Sequence, residues 1–338
     1  MLGVRAVVLW LGAGGALLSA CSGGGGGGVA GSSGAAVAAG PGSPSAATPA
    51  PTATPLPPYA IEALRRRVRV PGTITVGAAM PGGGGYAKHA VTWSSGGSTM
   101  TGVLDVPTGP GPFPVVVVNH GYVAADQYYV GQDSNKYADP LAAAGFITVS
   151  PNYPGYAGSG PGAAGVPPIV AEAISDMDLV SALGSLPEAD TARVAVAGHS
   201  NGGGVALILL AADARVNAAV LYAPVSSDMA DNARKWWTGH GAAGTGGLPT
   251  PDQDPAAYAL MSPRGHLPAN GPPTLVMQGT RDEDIPADWT SATMAALQGA
   301  GIRSRFVSFP GAMHNFVSAD LTRANGLAIS WLRDALGG

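Results

Sequence analysis

One pentapeptide and its flanks restrict the possible folds more than anything else in this chain. Gly198-His199-Ser200-Asn201-Gly202 stands between a short apolar run, Arg193-Val194-Ala195-Val196-Ala197, and a strong helix former, Val205 to Ala212. The pattern is strand, tight turn, helix. Glycine supplies 52 of the 338 residues, and at that abundance chance alone gives about half a match to G-x-S-x-G somewhere in the chain. The flanks therefore decide. A serine held in a strained turn needs small residues two positions to either side, because a side chain there collides with the strand or the helix. The helix N-terminus behind it aims free N–H groups and the positive dipole end at one point, and the N–H of Asn201 is the natural donor to an oxyanion there.

The rest of the chain repeats the alternation. Val115 to Val118, Ile147 to Ser150, Arg193 to Ala197, Ala218 to Tyr222, Thr274 to Gln278 and Ser304 to Phe309 are short apolar runs bounded by Pro, Gly or Asn. Apolar residues at successive positions suit strands covered on both faces, hence a mostly parallel sheet. Val170, Ile174, Met177, Val180 and Leu183 recur at helical spacing behind Pro167-Pro168. Leu321, Ala324, Ala328, Trp331 and Leu332 do so behind Ser318, read as the N-cap, with Asp320 in the first turn. Lys88 to Ser94 and Thr99 to Val106 flank Ser95-Gly96-Gly97-Ser98 and predict a β-hairpin. Residues 59–338 are thus expected to form one α/β domain on a doubly wound, mostly parallel sheet.

Ligands bind such sheets beyond the carboxyl ends of the strands. Gly279-Thr280-Arg281-Asp282-Glu283-Asp284-Ile285-Pro286 and Gly311-Ala312-Met313-His314 each follow a strand. A hydroxyl nucleophile at Ser200 needs a base, and the base needs a carboxylate that fixes its tautomer. His314 is the expected base and Asp282 the expected acid, with Asp284 in reserve and Glu283 read as a solvated loop charge. Val115 to Tyr122 runs from a strand into a His-Gly turn, from which the N–H of Tyr122 is expected as the second oxyanion donor beside Asn201. The Tyr122 ring can also wall an acyl pocket. His120 and His199 flank the site in positions that suit loop packing, and His89, His240 and His266 read as surface or loop residues. An insertion at about 225–267 holds Trp236-Trp237 and Tyr258 among Gly and Pro, and predicts a cap over the site mouth. The two tryptophans either line the pocket or pin the cap to the body.

The N-terminal end has a different character. Residues 1–21 carry Arg5, an apolar stretch from Ala6 to Leu18, and then Ser19-Ala20-Cys21, which reads as a secretion signal too short and glycine-broken to span a membrane. Residues 22–58 contain little but Gly, Ala, Ser, Thr and Pro, too little apolar surface to offset chain entropy, so a disordered tether spanning on the order of 35 Å is expected. Cys21 is the only cysteine, which excludes an intramolecular disulfide. With a net charge of −4 and no basic stripe, nucleic-acid binding is not expected. No metal-ligand spacing and no phosphate-cradling loop is present, so neither metal nor cofactor is expected.

Two resemblances arise from these segments. Leu18-Ser19-Ala20-Cys21 resembles a bacterial lipobox, which implies cleavage before Cys21, a lipid on its sulfur and an exported protein on the cell envelope; Ser22, rather than Asp, leans towards the outer membrane where there are two. From about Tyr86 onward the chain resembles the prolyl oligopeptidase-like and dienelactone hydrolase-like branches of the α/β-hydrolases. The likeness rests on Pro114 to Gly121, Gly198 to Gly203, Ser262-Pro263, Gly279 to Pro286 and Gly311 to His314. It implies an α/β-hydrolase fold, places Ser200, Asp282 and His314 as nucleophile, acid and base, and calls for no cofactor. The large peptidases of that family carry a β-propeller for which the stretch before Tyr86 is too short. Polyester hydrolases look similar around Gly121-Tyr122 and Gly198 to Gly204, but usually have Met where this chain has Asn201.

The expected activity is hydrolysis of carboxylic esters through an acyl-enzyme on Ser200, with a small-molecule ester as partner. A peptidase of short peptides is the nearest alternative, and a non-catalytic, envelope-anchored binding lipoprotein is the alternative from another class. A monomer is expected, with a membrane as partner only through the lipid anchor.

Overall fold

Alternate residues of a buried strand point to opposite faces, and this accounts for the unbroken apolar runs. In the fourth strand Val115 and Val117 enter one hydrophobic cluster while Val116 and Val118 enter another, and all four are fully buried. The protein structure, a computed structural model, describes residues 55–337. The expected signal segment, Cys21 and the tether up to residue 54 lie outside the described residues.

The strands are β1 (Thr75–Met80), β2 (Tyr86–Ser95), β3 (Ser98–Pro107), β4 (Phe113–Asn119), β5 (Ile147–Asn152), β6 (Ala189–His199), β7 (Val216–Tyr222), β8 (Thr274–Gly279) and β9 (Ser304–Phe309). They form one sheet in the order β1-β2-β3-β5-β4-β6-β7-β8-β9. Pairing is antiparallel from β1 through β3 to β5, and parallel from β5 onward. Gly96 and Gly97 close the β2–β3 hairpin with φ of 56° and 83°, the positive pair that a two-residue turn of primed type requires. This is an α/β-hydrolase fold. Its helices are α1 (Ile61–Arg66), α2 (Asn135–Ala143), α3 (Pro168–Ala182), α4 (Asn201–Ala212), α5 (Met229–Asn232), α6 (Gly241–Thr245), α7 (Pro255–Met261), α8 (Ala287–Gly299) and α9 (Ser318–Leu336). α3 and α4 pack on one face of the sheet, α2 and α9 on the other.

The turn between β6 and α4 fixes the site. Ser200 has φ 53° and ψ −116°. A Cβ on Gly198 would run into the carbonyl of Gly202, and a Cβ on Gly202 into the carbonyls of Asn119 and His120. The second glycine is thus needed for contact with β4 and the loop after it. α4 starts at Asn201, ahead of the expected Val205, because the wall of neighbours forces three consecutive glycines into its first turn. Ser318 does not cap α9: Val317 is the N-cap residue and no side-chain cap bond forms.

Replacing Gly202 by Ala is expected to destabilise the fold by about 3 kcal/mol, since backbone carbonyls rather than a flexible side chain must yield. Urea unfolding measures it, with Gly239→Ala as the control because open space surrounds that position.

Candidate active site

The loops after β4, β6, β8 and β9 are tied to one another by main-chain and side-chain hydrogen bonds. The Ser200 N–H donates to Tyr222 O (3.0 Å) and its carbonyl accepts from Val225 N–H (3.1 Å), which clamps the turn to the segment after β7. Beyond β8, Arg281 N–H donates to Ala312 O (2.9 Å) and Gly311 N–H to Thr280 Oγ1 (2.8 Å), so the loops after β8 and β9 run together. That junction puts Asp282 against His314, Oδ2 to Nδ1 at 3.1 Å, with both side chains buried. Asp282 Oδ1 also accepts from the N–H groups of Asp284 (3.0 Å) and Ile285 (2.9 Å). Burial pushes the Asp282 carboxyl up, but His314 and these two N–H groups outweigh it and hold the group below its ordinary value. An ionised carboxylate only accepts, so Nδ1 carries the imidazole proton and Nε2 is left as the acceptor.

Asp284 lies on the other side of the ring, with Oδ2 4.0 Å from His314 Nε2, and is half exposed. Glu283 is exposed, yet its Oε2 accepts from the His314 N–H (3.1 Å), so it braces the histidine loop rather than standing free in solvent. Ser200, Asn201, Tyr122 and His314 line one cavity of about 550 Å³, open to solvent. Gly121 comes close to Ser200: a Cβ on it would sit 3.4 Å from the serine Cβ. Among the described residues the hydrogen bonds of the His314 side chain end on Asp282, and none reaches Ser200 Oγ. Such bonds commonly tighten only with substrate in place.

Trp236 and Trp237 also line the cavity, presented by a π-helical turn at Ala233–Trp237. The Trp236 ring meets Trp289 of α8 edge to face, centroids 5.6 Å apart, and Lys235 Nζ lies over both rings while bonding the Asp284 carbonyl. So Trp236 faces the cavity and ties its segment to the body at once. His240 is exposed, as expected, and stands on the wall of the open cavity. His89 is half-buried within β2 rather than in a loop, and His266 is half-buried with Nε2 against Ala259 O (3.1 Å). His120 is buried against Tyr128 and Tyr153, and burial lowers its pKa to about 4. Tyr153 Oη donates to the His120 carbonyl (2.9 Å), steadying the loop that leads to Tyr122.

Asp133 was not legible as a site residue in the sequence. Its Oδ2 accepts from Gly121 N–H (2.6 Å) and His199 Nδ1 (2.8 Å), and its Oδ1 pairs with Lys136 Nζ (2.7 Å). Burial pushes this carboxyl up, while His199 and Lys136 pull it well below the ordinary carboxylate range. His199 Nε2 in turn faces the His314 carbonyl at 3.2 Å, and Lys136 donates to Asn315 (3.0 Å). One carboxylate therefore links the loops after β4 and β9 to the end of β6. Among the described residues no group of three His, Cys, Asp or Glu is placed to hold a metal, and no helix is long and apolar enough to cross a membrane.

A family profile described as the prolyl oligopeptidase family matches residues 132–338. The chain belongs to the prolyl oligopeptidase family. It accordingly belongs to a family of serine hydrolases. Among curated proteins no relative matches the sequence. Solved structures share the fold at low identity. Acetyl xylan esterase 1 from Thermoanaerobacterium sp. JW/SL YS485 has 17% identity and a TM-score of 0.60, over 82% of this chain and 92% of that one. An S-formylglutathione hydrolase from Agrobacterium tumefaciens has 19% and 0.59, over 78% of this chain and 100% of that one. Porphyromonas gingivalis dipeptidyl peptidase 4 has 18% and 0.59, over 75% of this chain, which spans 36% of the peptidase's length.

In this prolyl oligopeptidase family member the carboxylate of Asp133 should matter to turnover without touching a reacting atom. Asp133→Ala is expected to lower kcat/KM roughly 100-fold on whichever of a short p-nitrophenyl ester or a peptide anilide the wild type turns over, the scale on which small displacements of reacting groups act. Asp133→Asn is expected to fall between, and circular dichroism checks that both variants are folded.

Proposed function

We propose that the protein hydrolyses carboxylic esters through an acyl-enzyme on Ser200. His314 Nε2 takes the hydroxyl proton as Oγ attacks the acyl carbon, while Asp282 holds Nδ1–H. The N–H groups of Tyr122 and Asn201 receive the oxyanion. Collapse of the tetrahedral intermediate breaks the ester C–O bond, and the departing alkoxide takes the proton from His314. Water then attacks the acyl carbon with His314 as base, and Oγ leaves with the proton. The observation that carries this reading is the 3.1 Å contact of Asp282 with His314 Nδ1 on the wall of the cavity that holds Ser200.

An acyl group is accommodated between Tyr122, Val225, Trp236 and Trp237, a mostly apolar surface of the kind that small-molecule sites present. On this reading residues 225–267 act as a cap that sets acyl size. The preference for esters draws support from the esterase matched over 92% of its length, against 36% of the dipeptidyl peptidase. Hydrolysis of short peptides is the second reading, favoured by the family match itself.

A panel of short p-nitrophenyl esters and of dipeptide and tripeptide anilides separates the two. Esters are expected to turn over faster than anilides, a fluorophosphonate probe to label Ser200, Ser200→Ala to abolish both signals, and Asp282→Asn to lower kcat by roughly 10⁴. A wild-type protein that the probe leaves unlabelled is not this enzyme. The reading extends to placement: a lipid on Cys21 anchors the protein to a bacterial envelope. Cys21→Ser is expected to move it from the membrane pellet to the soluble fraction on cell fractionation; pelleting that persists defeats the anchor.

A further inference from the structure

Helix α3 packs against α4, and its buried residues, mostly apolar, include two acids one turn apart, Glu172 and Asp176. Asn201 Nδ2 donates to Glu172 Oε2 at 2.8 Å. Asn201 directly follows Ser200 and opens α4. Asp176 faces Asn119, the last residue of β4, just ahead of the turn that carries Gly121 and Tyr122. Among the described residues neither Asp176 oxygen and neither polar atom of Asn119 has a hydrogen-bond partner. The same helical face thus addresses Asn201, whose own N–H the oxyanion reading uses, and Asn119, which lies ahead of the Gly121-Tyr122 turn, and the bond that is made goes to Asn201.

Stability alone does not call for this arrangement, since a buried polar pair replaced by apolar groups of like shape is close to neutral. Burial pushes the Glu172 carboxyl up, the Asn201 amide pulls it down, and the outcome is about 7. The titratable groups that face it are Asp176, raised well above its ordinary value by burial, and the hydroxyls of Tyr153 and Tyr156, which donate to His120 O and Val123 O.

We propose that Glu172 is a positioning residue of the oxyanion hole, holding Asn201 through its side-chain amide so that the first peptide of α4 stays aimed at the developing charge. This rests on the reading of Ser200 as nucleophile. Neutral Glu172 is the competent form, because a carboxylate behind the N–H donors opposes an oxyanion in front of them. In the wild type kcat therefore falls as pH rises through about 7.

The test uses the full chain with E172Q, E172A and N201A, which keeps the backbone N–H. E172A and N201A are expected to lower kcat at pH 6 by roughly tenfold to a hundredfold with KM little changed. The double variant should be no worse than either single one, because one chain of contact is broken in each. E172Q, whose amide oxygen still accepts from Asn201, should recover most of the loss and lack the fall above pH 7. Thermal unfolding supplies a readout independent of turnover. A carboxyl with an ordinary value of 4.5 that folds to about 7 makes the wild type lose stability as pH rises across that window, and none beyond it. Relative to E172Q the wild-type Tm should drop over that interval, a comparison that stands even where E172A does not fold. Unchanged kcat in E172A and N201A, effects confined to KM, effects that multiply in the double variant, or a pH fall that survives in E172Q each overturn the proposal. Fluorophosphonate labelling separates the two failures: an unlabelled wild type defeats the nucleophile reading, whereas normal labelling with unmoved Glu172 variants defeats this inference alone.

Discussion

A non-glycine residue at φ 53° and ψ −116° is costly, on the order of 1–3 kcal/mol, and persists only where its surroundings leave it no alternative. At Ser200 the surroundings do so on every side. The N–H and carbonyl of the serine are both bonded to the segment at and after the end of β7, and the carbonyl also takes N–H groups of the first turn of α4. On the flanks Gly198 and Gly202 let the strand, the helix and the end of β4 approach more closely than any Cβ permits. The backbone of Ser200 is thereby held by main-chain contacts on every side. The other parts of the site are arranged around it.

Loops bring those parts in, and loops are mobile unless their polar groups are tied down. Buried carboxylates do the tying. Asp282 accepts from two backbone N–H groups, from Gln278 and from His314, so the acid is fixed before it fixes the imidazole. Asp133 joins the Gly121 peptide to His199, and His199 reaches the carbonyl of His314. Because each bond lies in a partly buried region it is stronger than it is in water, and losing one partner leaves a charge without compensation. Rigidity at the mouth of the sheet thus comes from satisfied charge, while the hydrophobic clusters on the two faces hold the platform beneath.

How far all this is legible in the sequence depends on where each residue's partners lie. β4 to β8 are readable because helices cover both faces, so their apolar residues run on, whereas β9 lies at the sheet edge and buries only Val307 and Phe309. β1 is not readable: five of its six residues are exposed, it has no core side, and pairing with β2 alone makes it a strand. α8 turns Thr290 and Thr293 inward beside Met294 and Leu297, which blurs the apolar period, and Pro140 inside α2 reads as a helix breaker. The start of α4 is hidden by glycines that tertiary contact, not propensity, makes helical. Ser200, Asp282 and His314 are visible because each follows a strand in a short, recognisable turn. Asp133 is not, since its partners Gly121 and His199 are 12 and 66 positions away and nothing in Gln132-Asp133-Ser134 distinguishes it from an ordinary helix entry.

The segment that carries Trp236 and Trp237 adds a dependence that no single loop contains. A π-helical turn widens the helix by one residue, and here it turns two adjacent tryptophans towards the same cavity. Trp236 is also held edge-on by Trp289, with Lys235 over both rings and anchored on the carbonyl of Asp284. Asp284 belongs to the loop that supplies Asp282. The wall of the cavity and the loop of the acid are therefore mechanically continuous through α8, a helix that contributes nothing to the cavity lining itself. Trp289 thus bears on the tryptophan wall and on the Asp284 turn together, because Lys235 lies over its ring and bonds the Asp284 carbonyl.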